Sequence, residues 1–242
     1  MEILITVLYN NIPQDTRLTP AWGMSCLIEG MEKTILFDTG GDGRVLLSNM
    51  NKLGKDPAQV EIVVLSHVHG DHTGGLSDFL QQAGDVELCF PRSFPDKFKQ
   101  QAAKTGYKTA AVDKSIKIAE DIYLTGEMGR GIKEQALVLQ TAEGLVVITG
   151  CAHPGVVNIV KRSKEVCQGE VYLVLGGFHL MELPDREVEA VINALKDLGV
   201  KKAGPSHCTG DRAIELFRRA WKKDFMELGL GGTVSLNARA GK

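Results

Sequence analysis

The sequence predicts a layered α/β fold, two β-sheets with helices on their outer faces, and three observations predict it. Strand-like runs fall into groups, stretches of helical spacing interrupt and follow them, and the chain is long and apolar enough to bury a full core. It has 242 residues, of which 43% are hydrophobic. Charged residues make up 24% and the formal net charge is −2. That balance excludes a disordered chain and gives no general field for nucleic acid or an anionic membrane, so small molecules are the expected partners.

The elements follow in order. Residues 2–9, 24–29 and 33–37 are rich in Ile, Leu, Val and Thr and read as strands, the last two joined by the turn Glu29-Gly30-Met31-Glu32. Residues 43–53 carry Val45, Leu46, Met50 and Leu53 at helical spacing, and Ile62 to Leu65 form a short buried strand ending at Ser66. Helices are expected at 75–82 and 95–104. Strands are expected at 116–118, 122–125, 135–142 and 145–149. The last third alternates helix 155–167, strand 170–175, helix 185–198, strand 200–204, helix 210–221 and a closing strand at 232–236.

No apolar run approaches the roughly 20 residues of a membrane span, and no basic leader precedes the first strand. The five cysteines are odd in number and lack C-x-x-C spacing, which argues against a disulfide framework. A cytoplasmic location is expected, with residues 1–242 as one domain.

The chemistry concentrates in Ser66-His67-Val68-His69-Gly70-Asp71-His72-Thr73-Gly74, which holds three of the six histidines directly after a buried strand. Ligands two residues apart share a side only on extended or turning backbone, which places His67 and His69 on a loop between strand and helix. Neutral imidazole and carboxylate are ligands for zinc or a similar divalent ion. The other three histidines, His153, His179 and His207, also follow predicted strands. Strand ends on one edge of layered sheets converge, so these loops are expected to meet at one site.

His67-Val68-His69-Gly70-Asp71-His72 resembles the H-x-H-x-D-H signature of the metallo-β-lactamase superfamily. Asp38-Thr39-Gly40, His153 and His207 resemble its other motifs in the same order, so the resemblance covers most of the chain. It implies a four-layered αββα sandwich with one or two divalent ions at its edge. Carried over, His67, His69 and His153 hold the first ion, Asp71, His72 and His207 the second, and Asp38 supports the ligand loops. The superfamily's bridging Asp is missing. Gly176-Gly177-Phe178-His179-Leu180 stands there instead, leaving His179 open as ligand, substrate contact or filler, with Glu182 an outside candidate. Zinc is expected, with manganese, magnesium or iron as alternatives. Cys151 and Cys208, beside ligand positions, are expected to pack rather than ligate.

Ala21-Trp22-Gly23-Met24-Ser25-Cys26, Thr149-Gly150-Cys151-Ala152-His153-Pro154-Gly155 and Gly176-Gly177-Phe178-His179-Leu180 are similar to one subgroup, related to dihydropterin-ribofuranosyl-aminobenzene phosphate synthase. The first expectation for the reaction is hydrolysis of an ester or phosphoester by a metal-activated water, with Asp71 and His179 as catalytic residues. The second is transfer, in which an arylamine displaces diphosphate from a dihydropterin methyl carbon. A third is a non-catalytic metal-containing binding protein. The segment from Tyr9 to Trp22 is expected to close over the site with Asn11, Arg17 and Trp22, and Gly126 to Lys133 to offer Arg130 to a phosphorylated substrate.

Overall fold

The computed structural model describes residues 1–239, so the last three positions of the expected 1–242 unit lie outside the described residues. Two sheets pack face to face. The first contains β1 (Glu2–Asn10), β2 (Met24–Glu29), β3 (Ile35–Phe37), β4 (Ile62–Val64), β5 (Glu87–Pro91), β6 (Lys108–Val112) and β13 (Thr233–Asn237), in the order β13-β1-β2-β3-β4-β5-β6. The second runs β12-β11-β10-β9-β8-β7, from β7 (Lys114–Ala119), β8 (Ile122–Gly126), β9 (Leu137–Gln140), β10 (Leu145–Thr149), β11 (Val171–Gly177) and β12 (Lys202–Ser206).

Alternation decides which face each side chain enters. Ile3, Ile5 and Val7 of β1, with Phe37 and Val64, meet Leu124, Leu137, Val146 and Leu173 of the facing sheet in the central core. The opposite faces are covered by helices. α1 (Gly43–Lys52), α3 (Leu76–Leu80) and α4 (Asp96–Lys104) bury Leu46, Met50, Phe79 and Ala102 with Val63 and Leu88 of the first sheet. α5 (Val156–Cys167), α6 (Asp185–Asp197) and α7 (Asp211–Trp221) bury Ile159, Ile192, Phe217 and Trp221 with Val147 and Val174 of the second. The four layers expected from the sequence are therefore present.

β5 and β6 were not expected. Each adds to the first sheet by parallel pairing with the strand before it, and Lys108-Thr109-Ala110-Ala111-Val112 carries too little apolar alternation to announce itself. Residues Gly70–Thr73 form a single helical turn, α2, so Asp71 and His72 sit on helix while His67 and His69 remain on the connecting chain. No helix among the described residues is long and apolar enough to cross a membrane.

What positions the site is the direction of the strands. β3 and β4 run parallel in one sheet, β10, β11 and β12 in the other, and each carries site residues just past its carboxyl end.

Candidate metal centre

Five loops meet at that edge: residue 38 after β3, residues 66–72 after β4, residues 150–153 after β10, residues 178–179 after β11 and residue 207 after β12. Asp38, Ala152, His179 and His207 adopt left-handed backbone, with φ of 58°, 57°, 53° and 50°. Such conformations cost of the order of 1 kcal/mol or more for non-glycine residues and persist where the surroundings fix them. Here they turn the chain sharply at the strand ends.

The donor atoms form two neighbouring groups. In the first, His67 Nε2 lies 3.1 Å and His153 Nε2 lies 3.2 Å from His69 Nδ1. In the second, Asp71, His72, Cys151 and His207 bring one donor atom each within 4.8 Å of the others. Asp71 Oδ2 is 3.2 Å from His207 Nε2 and 3.7 Å from His72 Nε2. The rings of His67 and His72, 4.3 Å apart, join the groups.

Each group's protonation follows from its surroundings. Burial, with His72 and His153 close by, pushes His67 far below its ordinary value, and burial together with His179 brings His153 down to about 4. These imidazoles are neutral near pH 7. Burial opposes charge on His72 as well, but the Asp38 carboxylate outweighs it and raises the imidazole. For Asp71, burial acts upward, while His207 and His72 prevail and hold it below the usual carboxylate range.

The donor set fits a divalent cation on an observation internal to the molecule. His69 Nδ1 faces two ring nitrogens at once, and a single nitrogen can serve only one of them well as donor or acceptor. His207 Nε2 is buried and, although near Asp71, has no aligned hydrogen-bond partner. Lone pairs converging without protons between them are what a bound cation relieves.

Outside the donors, a layer of hydrogen bonds fixes them. Asp38 Oδ1 accepts from the Ser66 backbone N–H at 2.7 Å, and its Oδ2 lies 2.7 Å from both Ser66 Oγ and His72 Nδ1. Glycine at position 150 is required by this contact, because a Cβ there would sit 2.1 Å from Ser66 Oγ. Asn11 Oδ1 is 2.8 Å from His207 Nδ1. Asn11, expected to touch substrate, is thus occupied with orienting a histidine.

Glu134 is the site residue that the sequence did not disclose. Its fully buried carboxylate accepts from the backbone N–H groups of Gly150, Cys151 and Ala152 through Oε1 and from His153 through Oε2, at 2.8–3.0 Å. Burial still leaves it raised to about 7, against the pull of the His153 and Ala152 amides. The available signal was an acidic residue at the head of a strand-forming apolar run, and it becomes informative only once four amides are seen converging on it.

The remaining expected residues divide. Trp22 is 50% exposed and its ring lies 4.8 Å from that of His207, so it stands at the mouth of the centre. Gly23 beneath it takes φ of 136° and passes so close to α2 that a Cβ would sit 2.3 Å from the Asp71 carbonyl oxygen. His179 is exposed with its ring 4.5 Å from that of His153, and its pKa is raised by a hydrogen bond to Cys208. Glu182 is exposed nearby. Arg17 is not brought in, because its guanidinium pairs with Asp15. Arg130 is exposed, on a loop that passes near Pro154, where a Cβ added at Gly129 would sit 3.5 Å from the proline ring. The segment from Tyr9 to Trp22 is not free along its length. Asp15 N–H donates to the Leu230 carbonyl, Leu230 N–H to that of Ile12, and Gly229 N–H to Gln14 Oε1.

A family model described as the metallo-beta-lactamase superfamily matches residues 23–157. A 7,8-dihydropterin-6-methyl-4-(beta-D-ribofuranosyl)-aminobenzene-5'-phosphate synthase of Methanocaldococcus jannaschii is 31% identical, over 89% of this chain and 91% of the relative. Among solved structures, a metal-dependent hydrolase of the beta-lactamase superfamily is 29% identical, with a TM-score of 0.80 over 98% of this chain and 100% of the other. The metallo-beta-lactamase fold protein YhfI from Bacillus subtilis shares the fold at 15% identity, with a TM-score of 0.69 over 97% and 99% of the two chains. The synthase overturns hydrolysis as the first expectation. A curated relative aligned over nearly its whole length is named a synthase, so the comparison backs transfer over hydrolysis.

Proposed function

The chain belongs to the metallo-β-lactamase superfamily, and from that premise we propose that it is a metal-dependent synthase of the pterin class. It couples a dihydropterin carrying a diphosphate on its 6-methyl carbon to a ribofuranosyl-aminobenzene phosphate. The single observation supporting the reading is the 31% identity to the synthase across 89% of this chain.

His67, His69 and His153 would hold one divalent ion and Asp71, His72 and His207 a second, and imidazole with carboxylate suits zinc. When bound, such ions supply Lewis-acid neutralisation of the diphosphate oxygens. The chain's own residues do the rest. The arylamine nitrogen forms a bond to the pterin methyl carbon, the carbon–oxygen bond breaks, and diphosphate leaves with the electron pair. His179, exposed at the mouth beside His153, takes the proton lost by the amine. Trp22 offers its ring face to one of the two aromatic substrates, and Arg130 pairs with a phosphate. Asp38, Asn11 and Glu134 hold the geometry.

The test is to incubate the metal-loaded chain with the dihydropterin diphosphate and the arylamine, following the coupled product by mass and diphosphate by release. Product and diphosphate are expected in equal amounts. Diphosphate released without coupled product, or no consumption of either substrate, would overturn the reading.

A further inference from the structure

The superfamily's bridging Asp is missing from the segment 176–180, yet the second donor group has four members, one of them a thiol. We propose that Cys151 replaces that carboxylate, so that a second cation is held by Asp71, His72, the Cys151 thiolate and His207.

The geometry of the loop argues for it. Cys151 Sγ lies 3.2 Å from His72 Nε2, and Asp71 Oδ2 lies 3.2 Å from His207 Nε2. A tetrahedral ion with N and O ligands at about 2.0–2.2 Å and S at about 2.3 Å separates neighbouring donors by roughly 3.3–3.6 Å, close to the spacing of these pairs. Both imidazoles have their other nitrogen engaged, His72 Nδ1 with Asp38 and His207 Nδ1 with Asn11, which aims each Nε2 inward. His207 Nε2 is buried beside Asp71 with no aligned hydrogen-bond partner.

The backbone explains why two donors only two residues apart serve different groups. Ala152 takes φ of 57° between Cys151 and His153, so the loop turns and sends Cys151 to the second group and His153 to the first. The four amides bound by Glu134 hold it there. Cys208 is the competing thiol. It contacts the Cys151 carbonyl at 3.8 Å and groups with Cys151 and His179, away from Asp71. A thiolate in this position also selects the ion, favouring zinc over magnesium or manganese.

The inference rests on the metal-centre part of the proposed function and is independent of the reaction served. The experiment loads the full chain anaerobically with cobalt(II) and records the near-ultraviolet sulfur-to-cobalt charge-transfer band together with bound cobalt by dialysis. Wild type is expected to hold about two equivalents and show the band. Cys151→Ala is expected to lose the band and about one equivalent, Cys151→Asp to keep two equivalents without the band, and Cys208→Ala to retain both signals. Should Cys151→Ala not fold, the Asp variant carries the test. Two bound equivalents without a band in wild type, a band surviving in either Cys151 variant, or a band lost in Cys208→Ala would overturn thiolate ligation alone. Failure to bind cobalt at all would overturn the metal-centre reading with it.

Discussion

His67, His69 and His153 meet as three imidazoles, two of them partly open to solvent, whereas Asp71, His72, Cys151 and His207 lie deeper and bring a carboxylate and a thiol. Within the first group, two of the three members come from one stretch of three residues. The second draws on α2, the loop after β10 and the loop after β12, and its imidazoles lean on Asp38 and Asn11. The first group takes two of its three rings from local chain spacing and carries no acid. The second is set by tertiary structure and buried charge, so damage to its supports should register in stability and cation affinity and not only in turnover.

The largest effect breaks the contrast at the reaction itself. His69→Ala removes the ring on which both other imidazoles of the first group converge, and coupling is expected to fall by about three powers of ten or more, measured in the product assay. Its thermal midpoint without metal should move little, since His69 is partly exposed.

Asp38→Ala tests the other side. It strips His72 and Ser66 of a fully buried partner, and breaking a buried pair of this kind costs about 3–5 kcal/mol, readable by denaturant titration of the metal-free chain. A cost under about 1 kcal/mol would mean that the second group does not depend on buried support.

Asn11→Ala is gentler. If His207 ligates as proposed, losing its hydrogen-bond partner lowers cation affinity by roughly 10- to 100-fold, and equilibrium dialysis should show this at one of two sites only.

The smallest effect sharpens the difference in charge. His153 in the folded chain sits near 4, below its ordinary 6.5, so between those values the unfolded chain takes a proton that the folded chain resists. The His153 contribution to metal-free stability should therefore decline as pH falls from about 6.5 to about 4 and then level off. Glu134, raised to about 7, works in the opposite sense. Its contribution is full below the ordinary carboxylate value of 4.5 and is lost as pH rises through about 7. Glu134→Gln removes the carboxylate's part, leaving the slope that His153 shares with the other shifted histidines in stability curves taken across that range.

Much of the candidate centre is legible in the sequence, and the reason is local. His67, His69, Asp71 and His72 crowd six positions, a pattern that water-exposed loops have no cause to produce. The layered fold was legible from grouped strands, because Ile, Leu and Val runs of period two are forced by the central core. What escaped lies in residues whose meaning is set by partners distant in sequence. Glu134 is an ordinary acid until four amides from the loop after β10 close on it. Cys151 reads as packing until Asp71 and His207 are brought beside it. Asn11 reads as a substrate contact because nothing local says that residue 207 will arrive next to it. β6 escaped for a related reason: most of Lys108 to Val112 is not buried, and its place is set by pairing with β5.

The order of donors along the chain has a temporal consequence. During synthesis the histidines of the first group are all present once residue 153 has been made, while the second group waits for His207, more than fifty residues later. A nascent chain can therefore complete one set of donors while the other still lacks its last member. Asn11 precedes its histidine by 196 residues, so the deeper group closes only when two segments made far apart in time have met.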